Sequence, residues 1–212
     1  MESRHSLLLT VRALTSVIDA ADVFTRGRSL RISRYVVRIA RELGVSDSEM
    51  VDIELGALLH DLGRNAILHD VIQSPRPLDP GDRAVVQTHP SIGYGLLKDI
   101  PGLEAAAEIV WTHHERPDGG GYPRGIPADQ IPVGSRLVMV CAAYDAMTED
   151  RPYRRGLSSR AACEELRRFA GQQFFPEIVN AFVQLHDSGR LWEAFTREEL
   201  EIFVRRGDLA AA

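Results

Sequence analysis

Residues 111–125 read WTHHERPDGGGYPRG: two adjacent histidines close an apolar run, and Glu, Asp, three glycines, Tyr and Pro follow. Adjacent positions on a helix point about 100° apart, so such a pair rarely belongs to one core face. His113 and His114 are therefore surface polar residues, or they meet something lying between their directions. A metal ion is the usual something, because neutral imidazole binds it well. Upstream, His60-Asp61 ends an apolar run. Such a pair either caps a helix or holds an ion, and its carboxylate is able to reach a second one. His89 precedes Pro90 and, taken alone, reads as an ordinary polar residue. Asp145 sits inside the apolar run VMVCAAYDAMT. A carboxylate buried there needs a cation or hydrogen bonds, supplied by a metal or by an arginine on another helix.

Taken together, a His-Asp pair, a lone His, a His-His pair and a buried Asp on separate helices could surround one or two divalent ions. The donors are nitrogen and oxygen without thiolate, which suits iron, manganese or zinc. Two such ions close together clamp a phosphodiester and activate a water for in-line attack.

The elements that must position these residues are helical. Residues 6–23 read as a first helix with Leu7, Val11, Leu14, Val17 and Ile18 on one stripe, and Gly27 breaks the pattern. Residues 29–43 form a second, ended by Gly44. Ser46 with Glu49 resembles a capping box and opens a third helix through MVDIELGALLHDLG. Pro75, Pro77 and Pro80 mark a connecting loop; residues 81–97 and 103–114 read as two more helices, and 115–130 as a Gly/Pro-rich loop. A buried helix carrying Asp145 starts near Pro132. Ser158 or Ser159 caps the next, through Phe169, and Pro176 opens another through His186. An amphipathic segment follows Leu191. No strand pair or repeat is legible, so the class is all-α.

Composition excludes other classes. Hydrophobic residues make up 44% and charged residues 26%, as in an ordinary globular chain. A net charge of −5 gives no case for a nucleic-acid polymer as partner. No run of apolar residues is long enough to span a membrane, and no signal-peptide pattern opens the chain, so the expected location is cytoplasmic. Cys141 and Cys163 lack metal-knuckle spacing; Cys141 reads as core packing.

The order HD, H, HHE-x-x-D-G-x-G-Y-P, D and RPYR resembles the HD-GYP branch of the HD phosphohydrolases. It is carried by His60-Asp61, His89, His113-His114-Glu115, Asp118-Gly119, Gly121-Tyr122-Pro123, Asp145 and Arg151-Pro152-Tyr153-Arg154. The resemblance implies an HD-superfamily helical bundle whose GYP loop borders the site. It implies two or three ions, often iron or manganese, and hydrolysis of cyclic di-GMP or, in some members, cyclic GMP-AMP. Asp61 would bridge the ions. Asp145 and His60 would complete one site, and His89, His113 and His114 the other. Arg64, Asp118, Gly121, Tyr122, Pro123, Arg151 and Arg154 would face substrate, with Arg64 also catalytic. The expected organisation is an N-terminal helix (1–24), a catalytic-type domain (25–186) and a helical tail (187–212). No regulatory segment is expected ahead of the domain, so control is expected from partners, such as a protein of the diguanylate-cyclase type, from the tail, or from substrate supply.

The chain departs from the family pattern at TRGRSLRI, where Arg28 stands in a histidine ligand's place. Guanidinium stays protonated and offers no lone pair to a metal. Arg64 replaces the lysine of HD-x-G-K, Phe175 stands where an FDP-like string has Asp, and Phe24 falls near a further glutamate ligand, so no third ion is expected. The functional expectation is a cyclic-dinucleotide phosphodiesterase weakened at one ion site. The rival is a degenerate domain that binds a nucleotide or a partner without hydrolysis. A nucleotide monophosphate substrate is disfavoured by the GYP string.

Overall fold

A computed structural model describes residues 2–21, 27–67, 79–150 and 155–192. Nine α-helices lie among the described residues: α1 (Glu2–Ala21), α2 (Arg28–Glu42), α3 (Asp47–Leu59), α4 (Pro80–Val86), α5 (His89–Leu97), α6 (Glu104–Thr112), α7 (Val133–Thr148), α8 (Ser159–Arg168) and α9 (Pro176–Asp187). Short 3-10 turns occupy Leu62–Ala66 and Ala128–Gln130. The described residues contain no strand, only an isolated bridge between Ala170 and Phe174. None of their helices is long and apolar enough to cross a membrane. The all-α reading holds.

Local chemistry explains most boundaries. Ser46 caps α3 by accepting from the Glu49 N–H at 3.4 Å, and Ser158 caps α8 by accepting from Ala161 N–H at 3.2 Å. Two expectations are corrected. Leu14, assigned to the buried stripe of the first helix, is exposed, because the buried face runs through Leu8, Val11 and Thr15. Residues 81–97 form two helices rather than one, with a turn at Gln87-Thr88. Pro90 has no N–H for the Val86 carbonyl four residues back, and its ring clashes with that carbonyl, so the helix breaks and restarts.

The core is double. One cluster joins Ile32 and Val36 of α2 to Leu137 and Val140 of α7 and Phe182 of α9. The other joins Leu8 of α1 to Leu58 of α3, Leu97 of α5 and Val110 of α6. Helix α3 serves both, through Ile53 and Ala57 on one side and Leu55 and Leu58 on the other, which is why every residue of its second half, from Ile53 to Leu59, is buried. Cys141 is fully buried in the first cluster, as its sequence context suggests. Five helices bring an end, or a residue near one, to a common place: the first residues of α2 and α5, the last turns of α3 and α6, and Asp145 in the last turn of α7.

Candidate metal centre

Three of the histidines are anchored in the same way. His60 Nδ1 lies 2.8 Å from the Ala57 carbonyl, His89 Nδ1 2.7 Å from that of Val86, and His113 Nδ1 2.7 Å from that of Val110. His60 and His113 directly follow α3 and α6, where last-turn carbonyls have no helical donor. For His89 the carbonyl is the one that Pro90 leaves without an amide. A carbonyl only accepts, so each Nδ1 carries the proton and each Nε2 presents a lone pair.

Those lone pairs converge. His89 Nε2 and His113 Nε2 are 3.2 Å apart. One ligand atom from each of His89, His113 and His114 lies within 4.8 Å of the others. The His60 ring packs edge-on to His113 at 5.3 Å, and its buried Nε2 has no hydrogen-bond partner among the described residues. Two lone pairs at hydrogen-bond distance with no proton between them repel, and a cation between them removes the conflict. Burial, with His114, His89 and His60 close by, holds His113 well below the usual histidine range. Burial and then His89 push His114 down to about 3. Burial also lowers His89, although Asp61 opposes it. Neutral imidazoles are the ligating form, so the residues present fit a divalent ion.

The carboxylates have a different environment. Asp61 Oδ1 lies 3.4 Å from His89 Nε2, and Asp61 Oδ2 lies 3.4 Å from His60 Nε2. Arg64 donates to Asp61 at 3.2 Å. Burial works against the Asp61 charge, but the guanidiniums of Arg64 and then Arg28 outweigh it and hold the carboxyl well below its usual range. Asp145, 2% exposed, accepts from Arg28 NH1 at 3.1 Å and from Arg31 Nε at 2.9 Å. Arg28 Nε also lies 3.5 Å from Asp61. Of the two readings open for Asp145, a metal or a helix-borne arginine, the structure displays the arginine. Arg28 points inward.

The glycine-rich loop closes over this place. Tyr122 stacks on His114 with centroids 4.6 Å apart, and its N–H donates to the His114 carbonyl at 3.2 Å. A Cβ at Gly121 would collide with the backbone of His114, Glu115 and Arg116, so no larger residue fits. A Cβ at Gly63 would likewise strike the His89 carbonyl, and its absence lets the turn after His60-Asp61 rest on the start of α5. Asp118 is exposed and engaged within the loop, accepting from Arg116 at 3.0 Å and from the Gly120 N–H at 2.9 Å. It does not join the cluster. Pro123 is exposed on the loop.

Two contributors stand outside the expected site: Glu115, named in the motif string without a role, and Arg31, which the sequence reading did not name. Glu115, fully buried, accepts from the N–H groups of Arg124 at 2.7 Å, Gly125 at 3.2 Å and Ile126 at 3.3 Å, and so braces the loop. Arg31 pairs with Asp145 and, at 3.1 Å, with Glu149. Its spacing from Arg28, one helical turn on the same face, was the available signal. Arg151, Arg154, Phe24 and most of the tail lie outside the described residues.

Known proteins agree with this architecture. The model of the HD domain family matches residues 12–178. The chain is 32% identical over 202 residues to a cyclic di-GMP phosphodiesterase of Thermotoga maritima, covering 94% of this chain and 54% of that protein. It is 33% identical over 144 residues to the 3'3'-cGAMP-specific phosphodiesterase 3 of Vibrio cholerae, covering 68% of this chain and 31% of that one. The chain thus spans about half or less of the length of these curated relatives. The fold is shared with a solved HDG"Y"P protein of Bdellovibrio bacteriovorus, with a TM-score of 0.64 at 22% identity over 75% of this chain and 51% of that one. With the family model spanning most of the residues, the chain belongs to the HD domain family.

Proposed function

We propose that this chain is a metal-dependent phosphodiesterase of cyclic dinucleotides, with cyclic di-GMP as substrate and a linear dinucleotide or GMP as product. The observation that carries this reading is the cluster of His89, His113 and His114, with two bare Nε2 atoms 3.2 Å apart beside an ionised Asp61. The names of the relatives support the substrate class, and the Thermotoga protein favours cyclic di-GMP over 3'3'-cGAMP on coverage.

A divalent ion bound here would supply a Lewis acid for a phosphoryl oxygen and lower the pKa of an attacking water. An all-nitrogen-and-oxygen donor set suits iron, manganese or zinc, and the resemblance to the HD-GYP branch favours the first two. The chain's own residues do the rest. The backbone bonds at Nδ1 keep the histidines in one tautomer and orientation. Asp61, held ionised, accepts a hydrogen bond from the attacking water and orients it. Arg64 and Arg28 offer planar N–H donors to phosphate oxygens, and Arg151 and Arg154 are proposed to do the same. The loop carrying Gly121, Tyr122 and Pro123 borders the substrate and limits water; Asp118 acts through the loop's shape.

A second reading, nucleotide binding without turnover, is favoured by one observation, the Arg28 guanidinium between Asp61 and Asp145. The test is anaerobic loading with Fe2+ or Mn2+, followed by chromatography of products from cyclic di-GMP and 3'3'-cGAMP. Linear product is expected from cyclic di-GMP, and His113→Ala is expected to lose most of its metal and at least about 100-fold in turnover, given that even residues behind the ligands are worth 10–100-fold. Calorimetric binding without turnover would select the second reading. Absence of both would exclude the two together.

A further inference from the structure

Positive charge is distributed unevenly around this centre. On one side, the Nε2 atoms of His60, His89 and His113 are lone-pair acceptors, and no guanidinium bond to them is present among the described residues. On the other side, the carboxylates are surrounded by guanidiniums. Asp145 has Arg28 at 3.1 Å and Arg31 at 2.9 Å, while Asp61 has Arg64 at 3.2 Å and Arg28 at 3.5 Å. Arg28 is only 9% exposed and spans both carboxylates from the first residue of α2. Arg31, one turn later, is held from its far side by Glu149 at 3.1 Å.

We propose that the Arg28 guanidinium is a built-in cation that takes the place of a second ion between Asp61 and Asp145, so that the centre holds one divalent ion, at His89, His113 and His114. This rests on the reading of the histidine cluster as a metal site. Two carboxylates in a buried place need positive charge nearby, and either a divalent ion or guanidiniums provide it. Once the guanidiniums are bonded, an entering ion must displace Arg28 and approach Arg31 and Arg64, all of one sign with itself. Guanidinium keeps its charge at any pH the protein tolerates and cannot itself coordinate, so the arrangement is permanent. Arg28 still presents N–H groups where phosphate oxygens would otherwise meet a second ion.

Ion content decides the matter without reference to activity. The full chain is stripped with chelator, loaded with excess Mn2+ and desalted, and manganese per chain is measured by mass spectrometry beside its electron paramagnetic resonance spectrum. The wild type is expected to hold about one ion per chain with the six-line spectrum of an isolated ion, and Arg28→His about two with the broadened spectrum of coupled ions. Arg28→Lys, which keeps the charge, is expected to stay near one. A wild type with two coupled ions overturns the inference while leaving the proposed function standing, whatever the variants do. A wild type with none overturns the metal reading and this inference with it. His113→Ala should take the count from about one to near zero; a count unchanged there puts the ion elsewhere and also overturns the assignment.

Discussion

His60, His89 and His113 stand in three different local sequences, and each ends with its Nδ1 on the carbonyl three residues back. That bond needs only a helix end or a helix break, so the tautomer is set locally and cheaply. The consequence for stability has a definite sign. His89, His113 and His114 have folded pKa values below the value of about 6.5 of an unfolded histidine, His114 at about 3. Between those values the unfolded chain binds more protons than the folded one, so stability is full above about pH 6.5 and falls as pH drops. Asp61, also depressed, adds a loss in the same direction, but only below about pH 4, where an unfolded Asp begins to protonate. For metal-free protein, urea unfolding should show less stability at pH 5.5 than at pH 8, with His114 alone contributing on the order of 1 kcal/mol and His113 and His89 adding in the same direction. Equal stabilities at the two pH values would mean that these imidazoles are protonated in the fold, and the lone-pair argument would fail. In metal-loaded protein the loss should begin near the same pH, which the unfolded histidines set, and continue to lower pH, because the ion keeps protons off the folded ligands until it is released.

At the scale of elements, the loop of residues 115–127 has no regular hydrogen bonding of its own beyond turns, yet it must stay seated on His114. Glu115 is the brace: three N–H groups converge on its buried carboxylate. Hydrogen bonds to a charged acceptor contribute about 1.5–3 kcal/mol each in favourable cases, and a donor left facing another donor costs a further 1–3 kcal/mol. Glu115→Gln puts an NH2 group where an N–H now finds oxygen. Amide exchange at Arg124, Gly125 and Ile126 is expected to accelerate at least 10-fold, corresponding to about 1.4 kcal/mol or more, while amides of α7 stay protected. Uniform acceleration across the molecule would instead mark a global loss of stability and remove the special role of Glu115. The same scale explains why α4 and α5 are separate. Without the break at Pro90, His89 would lie within a continuous helix and the Val86 carbonyl would already be engaged.

The whole molecule gathers the candidate ligands by bringing five helix ends together between two apolar clusters. α3 is the shared member, so the centre depends on packing on both of its sides. Phe182 lies deep in the first cluster, fully buried, with its ring 4.7 Å from that of Tyr144, the neighbour of Asp145. Phe182→Ala leaves a cavity and is expected to cost about 3–5 kcal/mol, which for a chain of this size lowers Tm by roughly 6–20 °C in a thermal melt. The clustered histidines sit at the ends of α3, α5 and α6, none of which carries Phe182, so the folded variant should keep the wild-type ion content. Lost metal at full folding would show that the first cluster positions the histidines directly.

Helical class, most boundaries and the ligand types were legible in the sequence because they depend on neighbours a few residues away. Examples are the 3.6-residue apolar period, Ser46 and Ser158 as caps, and a glycine run where the backbone must approach its own chain. The break at Pro90 was legible too, and was missed because the apolar pattern continues across it. The fate of Asp145 was not legible. A buried carboxylate demands positive charge, and that demand is met equally well by an ion or by an arginine, so local sequence leaves both open. Only the fold decides, by setting Arg28 at the start of α2 against a residue 117 positions away in the chain. Glu115 belongs to the same class, since its three donors come together only when the loop has closed. Periodicity and caps are short-range and written in neighbouring residues; charge compensation is satisfied by whichever partner the packed helices bring near, and so it belongs to the tertiary structure.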